Sequence, residues 1–210
     1  MSAAQAQERL ASGMRALDVM PPEDAVHKLL AYRDLVVRWN RVHNLTAVRD
    51  PEAMLAYHLL DSLSVSPYLH GDRVLDVGSG AGLPGIPLAV VNPQRRFVLL
   101  DASSKRVRFL RQVSVELELE NVEAVHERIE RYRPDAPFAT VTSRAFASLA
   151  DFAGAACGLL AAGGHMLAMK GRCPEEELQA LPSGIRLHAI YELKVPGLDA
   201  QRHLIDLVRA

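Results

Sequence analysis

One stretch constrains the fold more than any other: Arg73-Val74-Leu75-Asp76-Val77-Gly78-Ser79-Gly80-Ala81-Gly82-Leu83-Pro84-Gly85-Ile86-Pro87. It begins as an apolar strand, breaks at a glycine cluster and resumes as a helix. Gly78, Gly80, Gly82 and Gly85 are expected to let the backbone take positive φ and approach a ligand closely. Pro84 and Pro87 lack an N–H and fit only the first turn of a helix. A strand, a tight glycine turn and a free helix N-terminus point to a nucleotide-type ligand, which the unpaired N–H groups would face.

The rest of the chain frames that turn. Residues 1 to 70 read as a helical cap. Pro21-Pro22-Glu23-Asp24 opens a helix whose apolar face is Ala25, Leu29, Tyr32, Val36 and Trp39. Asp50-Pro51-Glu52 opens another, with an N-cap carboxylate and proline at the first helical position, running through Met54, Leu55, Leu59 and Leu63. From residue 71 to 210 the pattern is one compact α/β unit of short apolar runs: Arg73–Val77, Phe97–Leu100, Val122–Val125, Phe138–Thr142, His165–Met169, Arg186–Lys194 and His203–Val208. Helical stretches are expected between each of the first five, which implies a parallel sheet covered on both faces. Only Pro196-Gly197-Leu198-Asp199 marks the break between the last two, so they are expected to close as an antiparallel hairpin.

The glycine cluster can be read in two registers. Gly80-Ala81-Gly82-Leu83-Pro84-Gly85 is a G-x-G-x-x-G, and Asp101 follows at the spacing of an acid on a dinucleotide ribose, which keeps a nicotinamide oxidoreductase open. The other register, Asp76-Val77-Gly78-Ser79-Gly80-Ala81-Gly82, places an acid at the strand end. It is similar to the first motif of Rossmann-like S-adenosylmethionine-dependent methyltransferases. Asp76 beside the ligand would repel a pyrophosphate and attract a methionine ammonium or sulfonium. Leu100-Asp101 ends the next strand, where a carboxylate can accept both ribose hydroxyls of an adenosine. No G-x-x-x-x-G-K-[ST] occurs, which excludes a P-loop.

Further motifs make the resemblance specific. Trp39-Asn40 with Asn44-Leu45-Thr46, then His58-Leu59-Leu60-Asp61-Ser62, the glycine stretch, Lys105 to Leu110, Ser143-Arg144-Ala145-Phe146-Ala147-Ser148-Leu149, Lys170-Gly171 and Arg202-His203-Leu204 fall in order along nearly the whole chain. Together they resemble the ribosomal small-subunit methyltransferase G family, also called glucose-inhibited division protein B. The resemblance implies methylation of N7 of a guanine in 16S rRNA, that at position 527, with S-adenosylmethionine as cofactor. It also implies a Rossmann-like class I fold: a seven-stranded, mostly parallel sheet ending in an antiparallel hairpin. Gly78, Leu83, Ile129, Glu130 and Arg144 match family positions that contact the cofactor. With Asp76, Ser79, Gly80, Gly82 and Asp101 they form the expected cofactor set, Ile129 as an apolar wall for the adenine and Glu130 near its polar edge.

A net charge of −1 gives no global pull toward nucleic acid, so RNA contact must come from a local patch. Arg128, Arg144 and Lys170 follow the third, fourth and fifth strands, at the ligand edge of a parallel sheet, and Arg172, Arg202 and His203 can extend the patch. At 100° per residue, Lys105, Arg108 and Arg111 share one arc of their helix, whereas Arg106 falls among Val107, Phe109, Leu110 and Val113. Arg106 therefore either snorkels off the first turn or pairs with a carboxylate such as Asp76 or Asp61, and pairing is the expectation. Lys105, Arg106, Arg128, Lys170, Arg172, Arg202 and His203 make up the expected RNA-binding set, with Arg128 and Arg144 positioning the base.

N7 of guanine has a lone pair and no proton, so its methylation needs no general base. The eight scattered histidines fit that, and no metal is expected. Cys157 and Cys173 lack metal-ligand spacing and read as reduced thiols. The N-terminus has no signal-peptide pattern, and the uncharged run Phe152 to Met169 is broken by glycines into a helix, a turn and a strand. The expected protein is cytoplasmic and monomeric, with free 16S rRNA or the 30S subunit as partner. A binding protein on a degenerate methyltransferase fold is the non-enzymatic alternative, against which the intact glycines, Asp76 and Asp101 argue.

Overall fold

The computed structural model describes residues 2–144 and 146–210; Ala145, within one of the motifs above, lies outside the described residues. Helix α1 (Ala3–Ala16) opens with a reciprocal cap, Ser2 accepting from the Gln5 backbone and Gln5 from that of Ser2. Helix α2 (Ala25–His43) ends at Asn44, which takes the left-handed conformation (φ 47°) that asparagine tolerates. Asp50 caps α3 (Pro51–Met54) by accepting from the N–H groups of Glu52 and Ala53, as its position before Pro51 predicts. The same helical run continues as a π-helical segment, Leu55–Leu60, and closes as α4 (Asp61–Leu63). That widening was not visible in the apolar spacing, and such segments often sit at functional sites.

Seven strands follow: β1 (Arg73–Val77), β2 (Arg96–Asp101), β3 (Val122–His126), β4 (Phe138–Ser143), β5 (Leu160–Lys170), β6 (Ile185–Glu192) and β7 (His203–Arg209). They lie in the order β3-β2-β1-β4-β5-β7-β6. The first five are parallel, and β7 is antiparallel to both β5 and β6, which gives the expected terminal hairpin. Chain order reverses direction at β1, with β2 on one side and β4 on the other, and such a switch point opens a crevice at the carboxyl ends of the strands.

Helices α5 (Gly85–Val91), α6 (Ser104–Glu116) and α7 (Leu149–Ala156) connect the parallel strands, and the short α8 (Glu175–Gln179) precedes the hairpin. The expected helix between β3 and β4 is absent. Residues 127–137 run as turns, because Pro134 and Pro137 remove N–H donors from a segment too short to form a helix without them.

Strand alternation divides the core. Val74, Phe97 and Leu99 join the N-terminal helices, α5 and α6 in one buried cluster that includes Leu10, Leu29, Leu59 and Phe109. Leu75, Val77, Val98 and Leu100 point the other way, to Phe138, Leu149 and Phe152. No helix of the described residues is long and apolar enough to cross a membrane.

Candidate cofactor and RNA site

The turn after β1 is held from below and open above. Leu100 O on β2 accepts from Gly78 N (2.8 Å) and Ser79 N (3.2 Å), and the buried Ser79 hydroxyl donates to Asp76 O (2.9 Å). The Tyr32 hydroxyl, deep in α2, donates to Ala81 O at 2.6 Å, which fixes the turn to the helical cap. Burial raises the Tyr32 pKa, so the group stays a protonated donor. Periodicity placed Tyr32 on the apolar face of α2 and carried no signal for this contact.

The four glycines do two different jobs. Gly78 (φ +68°) and Gly80 (φ +60°) hold left-handed conformations; a Cβ at Gly78 would meet nothing within 4 Å, and at Gly80 only Gly78 O at 3.7 Å. These two line open space, as a ligand cradle requires. Gly82 and Gly85, expected to face the ligand as well, do not. A Cβ at Gly82 would fall 2.6 Å from Ile86 and 2.9 Å from Leu110, and one at Gly85 would collide with Leu99 and lie 2.7 Å from the Asp76 carboxylate. They allow close packing of α5 on the sheet. Leu83 is also buried, at 4% exposure.

Asp76 is corrected in the same way: it is fully buried beneath the turn and not beside an open ligand surface. Its Oδ2 accepts from Gly85 N at 3.1 Å, while Oδ1 has no partner among the described residues. Burial pushes its pKa up to about 7, against the lowering effect of the Gly85 and Ser79 hydrogen bonds. Asp101 is the acid on the cradle itself. Although only 4% exposed, it accepts through Oδ2 from Gly80 N (2.9 Å) and through Oδ1 from Ser103 N (2.8 Å), and Oδ1 keeps a further lone pair for a ligand hydroxyl. Arg106 does pair with a carboxylate, but with Asp101 (3.5 Å) and not with Asp76 or Asp61; its side chain is 47% exposed and leaves the helix core to reach it.

Across the switch point, Arg144 follows β4. Its Nη1 donates to Tyr57 O in the π-helical segment (3.3 Å) and lies 3.5 Å from Asp61 Oδ2. The other Asp61 oxygen accepts from Arg202 Nε at 2.8 Å. Asp61 is buried, and burial raises its pKa even though both arginines pull it down. The motif around His58 thus folds to present Tyr57 O and Asp61 to Arg144. Behind it, Asn40 exchanges two 3.0 Å hydrogen bonds with the Thr46 backbone, and Thr46 Oγ1 meets His58 Nε2 at 2.9 Å.

The remaining cations divide by partner. Lys170 is tied to Glu177 at 2.9 Å, which also accepts from Leu149 N, and Arg202 shares Asp61 with Arg144. Lys105, Arg128 and Arg172 are exposed and form no ion pair among the described residues. His203, paired in register with Lys170, is half-buried with its Nδ1 unpartnered. Ile129 packs among Leu75, Val77, Val98 and Leu100 in the core, and Glu130 is exposed. Both border a separate groove of about 650 Å³ with Tyr132, Cys157 and Leu159. The cluster that holds Ile129 includes Val77 and Leu100, the residues that precede Gly78 and Asp101 in the chain.

The fold is shared with methyltransferases of low sequence similarity. A glycopeptide N-methyltransferase, MtfA, whose structure contains S-adenosyl-L-methionine, superposes with a TM-score of 0.62 at 12% identity, over 73% of this chain and 87% of that one. Sequence relatives are much nearer. The ribosomal RNA small subunit methyltransferase G of Ectopseudomonas mendocina is 53% identical over 205 residues, covering 97% of this chain and 96% of the relative. That of Pseudomonas aeruginosa (strain LESB58) is 51% identical, covering 96% and 95%. The family model described as "rRNA small subunit methyltransferase G" matches residues 25–205, from the helix that fixes the glycine turn into the strand that follows Arg202. With its cradle, switch-point arginine and full-length relatives all in agreement, the chain belongs to the rRNA small subunit methyltransferase G family and is a methyltransferase.

Proposed function

We propose that the protein transfers the methyl group of S-adenosylmethionine to N7 of a guanine in 16S rRNA, the guanine at position 527. The observation that carries this reading is the pair Gly78 and Gly80, at positive φ with open space above them, joined to Asp101 through the Gly80 N–H. The residues fit the cofactor: Gly78 and Gly80 supply a surface with no Cβ, and Asp101 retains acceptor capacity for ribose hydroxyls. Asp76, Ser79, Gly82 and Leu83 support that surface from beneath, as their burial indicates. When bound, S-adenosylmethionine supplies a methyl group on a positively charged sulfur, which leaves as a neutral thioether and so needs no metal as Lewis acid.

The chain's own task is positioning. Guanine N7 offers a lone pair without a proton to remove, so alignment and exclusion of water govern the rate. Arg144 donates to a guanine O6 or a phosphate, a role its contacts to Asp61 and Tyr57 O at the switch point support. A donor on N7 itself would block the nucleophile. Exposed Lys105, Arg128 and Arg172 supply phosphate contacts, with Arg106, His203 and the Glu177-bound Lys170 at the margin. The target base must be unpaired or accessible in a loop. The acceptor is free 16S rRNA or the 30S subunit, and the enzyme works as a cytoplasmic monomer.

Primer extension after borohydride and aniline cleavage at 7-methylguanine, on 16S rRNA from cells lacking the gene, tests the substrate. Loss of one cleavage site, restored by the intact gene, is expected; an unchanged pattern refutes the assignment. A rise in melting temperature with S-adenosylhomocysteine but not NAD(H) separates the methyltransferase from an oxidoreductase on the same glycine motif.

A further inference from the structure

We propose that His70, His165 and Asp206 form a binding site for a first-row transition-metal dication of the zinc class, at the opposite edge of the sheet from the cofactor cradle. The three residues are remote in sequence and meet only in the fold. His165 stands near the start of the parallel part of β5, beside Thr140 of β4 and Val208 of β7, whereas the cradle lies past the carboxyl ends of the strands. One donor atom from each of His70, His165 and Asp206 lies within 4.8 Å of the others.

The chemistry at this point calls for a cation. Asp206 is fully buried, and its one ion-pair partner among the described residues is His165, whose Nδ1 lies 2.8 Å from Oδ1 and 3.1 Å from Oδ2. A buried carboxylate beside an imidazole is stabilised either by a proton held between them or by a metal ion that replaces it. A second imidazole is already in place. His70 stacks on His165 with ring centroids 3.5 Å apart and an interplanar angle of 5°. The His70 backbone is pinned on both sides by Thr140 Oγ1, which accepts from its N–H (2.9 Å) and donates to its carbonyl (2.8 Å).

Two imidazoles and one carboxylate suit zinc, nickel or copper rather than magnesium or calcium. A third, exposed ring lies next to them. His188, where the β6 register shifts between Leu187 and Ala189, meets His165 edge-on at 5.1 Å. Coordination requires the His70 ring to leave its stack and converge on the ion. Once bound, the ion ties the segment before β1 to β5 and β7, and so acts as a structural clip on the antiparallel end of the sheet.

The test uses the full chain without a polyhistidine tag, stripped with a chelator, 15N-labelled at histidine and titrated with zinc chloride. One ion per chain is expected, with the ring nitrogens of His70 and His165 shifting and those of His27, His43 and His126 unmoved. His70→Ala and Asp206→Asn are each expected to weaken zinc binding at least about tenfold by calorimetry. The proposal is overturned by the absence of saturable binding, by shifts confined to other histidines, or by unchanged affinity in both variants. Because the labelled wild-type chain reports the ligands directly, a variant that fails to fold does not decide the outcome.

Discussion

Replacing His58 by glutamine isolates the pH dependence that burial of a single imidazole builds into the fold. His58 is 5% exposed, its Nε2 meets Thr46 Oγ1, and its Nδ1 has no partner among the described residues. Burial pushes its pKa down from 6.5 to about 4, with a smaller contribution from the Arg144 charge. The unfolded chain therefore binds a proton that the folded chain refuses. The stability from a neutral His58 is fully present above pH 6.5 and is lost as pH falls from there toward 4. The two pKa values give a loss of about 2 kcal/mol between pH 7.5 and pH 5, which is a drop of about 0.7–1 M in urea midpoint for a domain of this size. Urea unfolding of wild type and His58→Gln across this range is the assay. Asp76 titrates in the same window in both proteins and cancels in the difference. The glutamine variant, although less stable at neutral pH, is expected to lack this acid-sensitive component. Parallel stability curves for the two proteins from pH 7.5 to 5 would refute the reasoning.

Asp76 carries the opposite sign: burial raises its pKa to about 7, so the stability it gives when protonated is lost as pH rises from its ordinary 3.8 through 7. Asp76→Asn is therefore expected to gain stability relative to wild type between pH 5 and pH 8, measured by urea midpoint. Gly80→Val places a branched side chain in the cradle at a φ of +60° and is expected to abolish both S-adenosylhomocysteine binding and complementation; full complementation would undo the cradle assignment. Gly82→Ala, by contrast, is expected to act on folding, since its Cβ meets Ile86 and Leu110, and to lower the melting temperature before any effect on cofactor affinity. Arg106→Met removes the cation on Asp101 and is expected to weaken S-adenosylhomocysteine binding several-fold in calorimetry, with Arg108→Met as the unaffected control.

The order of elements was legible because apolar period and punctuation are local. Asp50-Pro51 announces a helix start, Gly78 and Gly80 announce a turn that only glycine enters readily, and the last two runs announce a hairpin. The full-length match to the family was likewise a property of motifs in order. Which partner a side chain takes is not set by apolar period, and it differs from the sequence expectation for Arg106. Arg106 was placed by helical angle, yet a long flexible side chain can leave its own arc, and the nearest acid was Asp101. Lys170 and Arg202, both in the expected RNA-binding set, also hold acids: Glu177, seven residues on from Lys170, and Asp61, 141 residues before Arg202. The missing helix at 127–137 shows that a gap long enough for a helix does not oblige one when proline interrupts its donors.

By itself, then, the sequence determined the class of fold, the cofactor-type turn and the family. These depend on backbone conformations and residue spacings that neighbouring residues impose. The tertiary structure decided the division of labour. Gly78 and Gly80 line the open cradle while Gly82 and Gly85 admit close packing, Asp76 lies beneath the turn while Asp101 faces the cradle, and Tyr32 reaches across 49 residues to hold the turn from the cap. The physical reason is that burial and desolvation depend on what packs from every direction, and one chain segment supplies only one of those directions.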